Sequence, residues 1–326
     1  MDILSKLKEN NIKILSIIGL SKNCGKTTTL IKIIEKLERE NLKICITSIG
    51  IDGERFDHLY FFEKPLIYLK KNFYVITSEG SLKESDIEYT ILKRFNIETP
   101  KGELLLLKVE KEGHVEVSGP YIGKDLENIL SQIKEYNFDL IIIDGAIDRK
   151  VSIKYSDGII LQTGLNIVDE KIDVIDETLF YKEIFSLEKV DEDLKNLIKD
   201  IKGNFKFIHI KEGKTISSNE LKDFNGDFLY VNGALTDSIL KEIMDKNIKN
   251  VIVDHPYNIL ISSKLFNDFL KRKGKIFVLK RVNLLGISFS SFNQEKIFSK
   301  DDEEFIFNTL KEKVKPTTLF DPIKGV

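Results

Sequence analysis

Residues 12–28 read IKILSIIGLSKNCGKTT, and the passage changes character twice within a few residues. The apolar run at 12–18, rich in isoleucine, reads as a buried strand. A loop bracketed by Gly19 and Gly25 follows, and from Lys26 to about residue 40 the apolar positions recur at helical spacing. Strand, glycine loop and helix in that order build a nest of backbone N–H groups at the positive end of a helix, a setting that holds phosphate oxygens. The spelling is irregular, because five residues separate the two glycines where the common phosphate-binding loop has four. The plain alternative is a helix that starts after a glycine. The placement of strand, loop and helix argues against it.

Each loop position has an expected part. Gly19, Lys22, Asn23, Cys24, Gly25, Lys26, Thr27 and Thr28 form the candidate phosphate-binding set. Gly25 lets the backbone approach a phosphate, Lys26 can reach its outer groups, and the Thr27 hydroxyl is placed to ligate Mg²⁺ with Thr28 beside it. Asn23 tolerates positive φ better than other non-glycine residues, so the loop can bend there without glycine. Cys24 lies among N–H groups and between two lysines, which favours a reactive thiolate; the alternative is a small packing residue.

Two acids extend the candidate site. FDLIIIDGA at 138–146 is a buried strand that ends in Asp144, and a carboxylate there can hold Mg²⁺ through its water shell. A helix cap is the competing reading. Asp52, in TSIGIDGE at 47–54, follows the strand after the loop's helix, where an acid can serve the metal or an attacking water. Flanking glycines make it equally a turn residue. Lys26, Asp52 and Asp144 are thus the catalytic candidates, and Thr27, Asp52 and Asp144 the metal candidates. LQTGLN at 161–166 follows another strand and is either a base contact or an ordinary turn.

The 326 residues hold 50 Lys and Arg against 52 Asp and Glu, so the net charge of −2 advertises neither nucleic acid nor a basic partner. No apolar run has the length of a membrane span and the N-terminus lacks a signal-like core, so a cytoplasmic protein is expected. Two cysteines and four scattered histidines offer neither a disulfide framework nor zinc-like spacing.

Alternation of apolar runs with helical patterns predicts an α/β fold: a largely parallel sheet flanked by helices around the loop, followed by a second α/β region. Strands are expected at 43–48, 66–69 and 73–78, a helix near 83–94, and a hairpin turning at Glu112-Gly113. A charged segment near 185–203 suggests a division into residues 1–185, which bind nucleotide, and 204–326, which contact a partner, although the later strands can also extend the first sheet.

The loop spelling and IDGAIDR resemble dethiobiotin synthetase and the P-loop class that includes the Min and nitrogenase-iron ATPases. That class implies ATP and Mg²⁺, and it leaves a homodimer open. Ser21 stands where the Min-like ATPases keep a signature lysine, with Lys22 one residue later. A longer succession runs through GLSKNCGKTT, TSIGIDGE, EKPLIYLKK, TPKGELLLLKV, VEVSGP, IIIDGAIDRK, LQTG, VNGALTDSIL and LLGISFSSFN. In that order these words resemble the reactivase subunit associated with lysine 5,6-aminomutase in lysine fermentation. The resemblance implies an ATP-binding subunit that restores an adenosylcobalamin enzyme by nucleotide-driven cobalamin exchange. Its implied partners are the aminomutase and a MutS-like ATPase subunit. A ligase or kinase acting on a small carboxylate, like dethiobiotin synthetase, is the alternative, and a non-hydrolysing nucleotide-dependent regulator is a third.

Overall fold

The computed structural model describes residues 2–21, 24–49, 66–146, 151–166, 170–201, 203, 205–221, 226–292 and 298–324. The chain opens with α1 (Ile3–Glu9), β1 (Ile14–Gly19), α2 (Lys26–Leu37) and β2 (Ile44–Ser48). A run of strands follows: β3 (Ile67–Leu69), β4 (Tyr74–Ser78), β5 (Glu88–Thr99), β6 (Gly102–Lys111) and β7 (Gly113–Val115). Next come α3 (Gly123–Gln132), β8 (Leu140–Ala146), α4 (Val151–Tyr155), β9 (Gly158–Gly164) and α5 (Lys171–Phe185). Then follow α6 (Glu192–Ile201), β10 (Phe207–Lys211), β11 (Lys214–Ser218), β12 (Phe228–Val231), β13 (Leu235–Thr236), α7 (Asp237–Asp245) and β14 (Asn250–Val253). The remainder is β15 (Ile259–Leu260), α8 (Ser263–Lys271), β16 (Lys275–Val278), β17 (Asn283–Ser290), α9 (Lys300–Lys313) and β18 (Leu319–Phe320). No helix among the described residues is long and apolar enough to cross a membrane.

Two compact units result, Met1–Ile175 with Leu284–Val326 and, between them in sequence, Asp176–Asn283. This departs from the expected division into 1–185 and 204–326, because β17 and β18 are strands of the first unit's sheet. An apolar run such as LLGISFSS declares a buried strand but not which sheet takes it.

The first unit's sheet has the order β18-β17-β9-β1-β8-β2-β4-β6-β5. β1 lies between β8 and β9 and pairs with both in parallel, while β2 pairs in parallel with β8 and with β4. The chain therefore winds from β1 first toward β2 and β4, and later returns to the other side through β9. Such a reversal opens a crevice at the carboxyl ends of the strands, where open α/β sheets bind ligands. Both faces are covered, as a parallel sheet requires. On one face Leu15, Ile17, Ile46, Leu105 and Ile142 pack with Leu30, Ile33, Ile34 and Leu37 of α2. Their strand neighbours Cys45, Leu104, Leu106 and Ile143 point the other way and pack with Leu126, Ile129 and Leu130 of α3. The mixed α/β fold with its large, mostly parallel sheet is the one expected.

Two local expectations are corrected. Residues 88–99 form β5, not a helix near 83–94; only a single turn of 3₁₀ helix precedes it, at Ser81–Glu84. Phe95, Ile97 and Thr99 are buried between exposed neighbours, a period of two, whereas Ile87, Ile91 and Leu92 mimic a helical face. The hairpin joins β5 to β6 and turns before Gly102, whose φ of +94° suits glycine, not at Glu112-Gly113. β7 pairs antiparallel with β3 instead.

In the second unit β12, β14 and β16 are parallel and connected through α7 and α8, and β10 and β11 complete the sheet in antiparallel fashion. The charged segment expected to separate domains contains α6, whose Ile198 packs with Ile208, Ile210, Tyr230 and Ile252. At the end of β14, His255 is buried and its Nδ1 accepts the Tyr257 N–H at 3.3 Å. The proton of the neutral ring therefore sits on Nε2, which has no hydrogen-bond partner among the described residues. Burial, with a smaller contribution from the Lys280 charge, pushes the His255 pKa down to about 3.

His255 folds neutral and titrates near 6.5 once unfolded, so its contribution is complete above that pH and is lost as pH falls toward 3. Between pH 7 and 5 the native protein loses about 2 kcal/mol of stability through this residue. Urea unfolding followed by circular dichroism checks it as the difference between wild type and His255→Gln, whose profile is flatter over the same range.

Candidate functional site

β1 ends at Gly19 and α2 begins at Lys26, so the described residues between them, 20, 21, 24 and 25, sit at the carboxyl edge where the chain reverses. Gly25 is the residue before the helix and has φ +94°, a left-handed conformation that admits glycine at little cost. Lys26 starts α2 and folds back over the loop, its Nζ donating to the Ser21 carbonyl at 3.0 Å. Its stem crosses Gly19 so closely that a Cβ there would stand 2.6 Å from Lys26 Cδ and from Cys24 Sγ. Gly19 is thus required for the lysine to lie across the strand end. Thr27 and Thr28 occupy the first turn of α2, half-buried.

Asp144 lies on the neighbouring strand, opposite Ile17 of β1 and Ser48 of β2, two positions short of the pair formed by Ala146 and Gly19. It is half-buried, and its carbonyl accepts the Ile49 N–H at 2.9 Å. The structure brings Gly19, Cys24, Gly25, Lys26, Thr27, Thr28 and Asp144 to one edge of one sheet. Lys22, Asn23 and Asp52 lie outside the described residues.

Within LQTGLN, read as either a base contact or an ordinary turn, Gln162 is turned inward. It is fully buried beneath the loop. Its Nε2 donates to the carbonyls of Cys24 at 2.8 Å and Thr163 at 2.7 Å, and its Oε1 accepts the Thr29 hydroxyl at 2.5 Å. Thr29 Oγ1 lies 2.7 Å from Ser288 Oγ on β17, and the Gln162 carbonyl accepts the Leu20 N–H at 3.0 Å. Ser290, also on β17, abuts Gly25: a Cβ on that glycine would lie 3.0 Å from Ser290 Cβ and Oγ. Gln162, Thr29, Ser288 and Ser290 were not singled out individually from the sequence. Their signal is a polar residue within an otherwise apolar buried strand or helix face, since such a group is retained only with partners. Cys24 is buried with its Sγ 3.8 Å from the Gln162 carbonyl, which makes it a packing residue here and not an exposed side chain.

The arrangement suits an anion. A helix of 12 residues presents its N-terminus, the lysine cation lies at its first position, and a carboxylate stands across the strand ends. Gly25 and Lys26 could hold the phosphates of a Mg-nucleotide, and Thr27 and Asp144 could hold its metal.

No protein-family model matches the chain, and no curated protein does. Among solved structures, the MinC:MinD cell division protein complex of Aquifex aeolicus aligns with 93% of this chain and 93% of its own, at 11% identity and a TM-score of 0.30. A likeness at that score carries nothing about function, which rests on the loop geometry.

Lys26→Ala removes the cation without touching the buried core. Affinity for Mg-ATP falls by about 10-fold or more, as expected for losing a charged hydrogen bond, while the melting temperature without ligand stays close to wild type. Calorimetric titration and thermal unfolding check the two halves.

Proposed function

We propose that this chain is a P-loop nucleotide-binding protein that takes ATP with Mg²⁺ at the edge formed by Gly19, Gly25, Lys26, Thr27 and Asp144. The observation that carries the reading is Gly25 in the left-handed conformation at the start of α2 with Lys26 folded over the loop. Backbone N–H groups at such a helix start hold phosphate oxygens, the ammonium offsets their charge, and the Thr27 hydroxyl and Asp144 hold the cation through oxygen ligands. When bound, Mg-ATP supplies a phosphoanhydride whose hydrolysis releases free energy. The chain's own residues position its phosphates and keep a carboxylate beside them.

The finer proposal is that this nucleotide site serves a reactivase subunit for an adenosylcobalamin-dependent lysine 5,6-aminomutase, working with a MutS-like ATPase subunit. It is supported by the ordered succession of sequence words from GLSKNCGKTT to LLGISFSSFN. A damaged cobalamin held tightly leaves when its enzyme is drawn into a state of lower affinity. A nucleotide can drive that shift when it changes a contact between partners.

Aminomutase inactivated by turnover regains activity with this protein, the partner ATPase, Mg-ATP and fresh adenosylcobalamin, and stays inactive when any protein or ATP is withheld. Asp144→Asn binds ATP yet supports little rescue, because the amide keeps the shape but lacks the charge that steadies the metal. Absence of rescue, together with ATP consumption that depends on a small carboxylate, replaces the reactivase with a ligase. Wild-type rescue by Asp144→Asn reduces that residue to a structural one.

A further inference from the structure

Gln162 has a direction built into it. The carbonyls of Cys24 and Thr163 can only accept, so the side chain must turn its nitrogen toward both, at 2.8 and 2.7 Å. Its oxygen then faces Thr29, which spends its one hydroxyl proton on it at 2.5 Å. Having no second proton, Thr29 accepts from Ser288, 2.7 Å away. The relay therefore runs one way, from Ser288 through Thr29 to Gln162 and on to the Cys24 carbonyl. All of these side chains are buried, so water cannot substitute for any member.

The consequence falls on one peptide plane. In a planar trans peptide the C=O and the following N–H point in opposite directions. With the Cys24 carbonyl drawn inward onto Gln162, the N–H of Gly25 points the other way, away from Gln162. Gly25 is also a residue at which this plane can turn over cheaply, because glycine occupies both signs of φ. Turned over, the plane would present a carbonyl oxygen where a phosphate oxygen binds.

We infer that Gln162 is a positioning residue for nucleotide binding: its carboxamide, aligned by Thr29 and Ser288, locks the Cys24-Gly25 peptide with its N–H facing the phosphate. The inference rests on the nucleotide reading and deepens it. Gln162 touches no phosphate itself; it acts through the peptide it holds. β17, which carries Ser288, thereby takes part in the loop's conformation although nothing in its sequence looks like a nucleotide motif.

The test uses the full-length protein, with Mg-ADP and Mg-ATP as probes. Gln162→Met keeps the side chain's length and removes both donors. The expected result is a folded protein whose affinity for both nucleotides is reduced by about 10- to 100-fold, the loss of one charge-assisted hydrogen bond plus a repelling carbonyl. In ¹⁵N-resolved spectra the Gly25 amide moves on Mg-ADP addition in wild type and fails to move in the variant, a change that mere loss of stability does not produce. Thr29→Val, which leaves Gln162 in place but unaligned, gives a smaller loss of the same kind and carries the test if the Met variant does not fold. Wild-type affinity and a wild-type Gly25 shift in a folded variant overturn the inference alone. No binding of either nucleotide to wild type overturns the nucleotide reading with it.

Discussion

The hydrogen bonding of β1 on both edges, to β8 on one side and β9 on the other, is the constraint on which the rest of the first unit depends. A strand paired in parallel on both sides is buried on both faces, so Leu15, Ile17 and Ile18 all face apolar neighbours and the strand has no freedom to slip. Its carboxyl end is then fixed against those of β8 and β9. Gly19 comes level with Ala146 on one side and Gln162 on the other. That alignment sets the strand carrying Asp144 on one side of β1 and the strand carrying Gln162, which bonds the Cys24 carbonyl, on the other, although both are distant in sequence.

Tight packing at this edge continues away from the loop. Gly119, just after β7, lies so close to β2 that a Cβ would fall 1.7 Å from the Ser48 carbonyl oxygen. At the end of β4 the hydroxyls of Thr77, Ser78, Ser81 and Ser118 bond one another in a fully buried group, with Thr77 also donating to the Glu116 carbonyl at 2.7 Å. Small polar side chains allow the chain to cross over the strand ends without leaving buried polar atoms unsatisfied. These described strand ends are closely packed, which favours a site that exists before its ligand arrives.

Much of this was legible in the linear order of residues. The run IKILSIIG, the glycines and the helical spacing after Lys26 prescribe a strand, a loop and a helix by local rules alone, and the acid closing LIIID needs only its own strand to be noticed. The misreadings have a common cause. Residues 88–94, with Ile87 before them, satisfy helical spacing by chance, and only pairing with β6 makes 88–94 a strand. Likewise a polar residue inside a buried strand announces that it has a partner without naming one. LQTGLN reads equally as a base contact or an ordinary turn because its strand ends at the right edge; the partners of Gln162, namely Cys24, Thr29 and the relay to Ser288, lie more than a hundred residues away in either direction along the chain.

Local chemistry by itself therefore determined the glycine loop between strand and helix, the α/β class and the candidate cation and acid, because each depends on neighbours within about one strand or helix turn. Tertiary structure alone decided that β17 and β18 join the first sheet, that residues 176–283 form a unit of their own, and that Gln162 holds the loop from beneath. The physical reason is that strand pairing and buried hydrogen bonds satisfy groups wherever the fold brings them together. A sequence states which groups need partners; the partners are chosen only when the sheet closes around them.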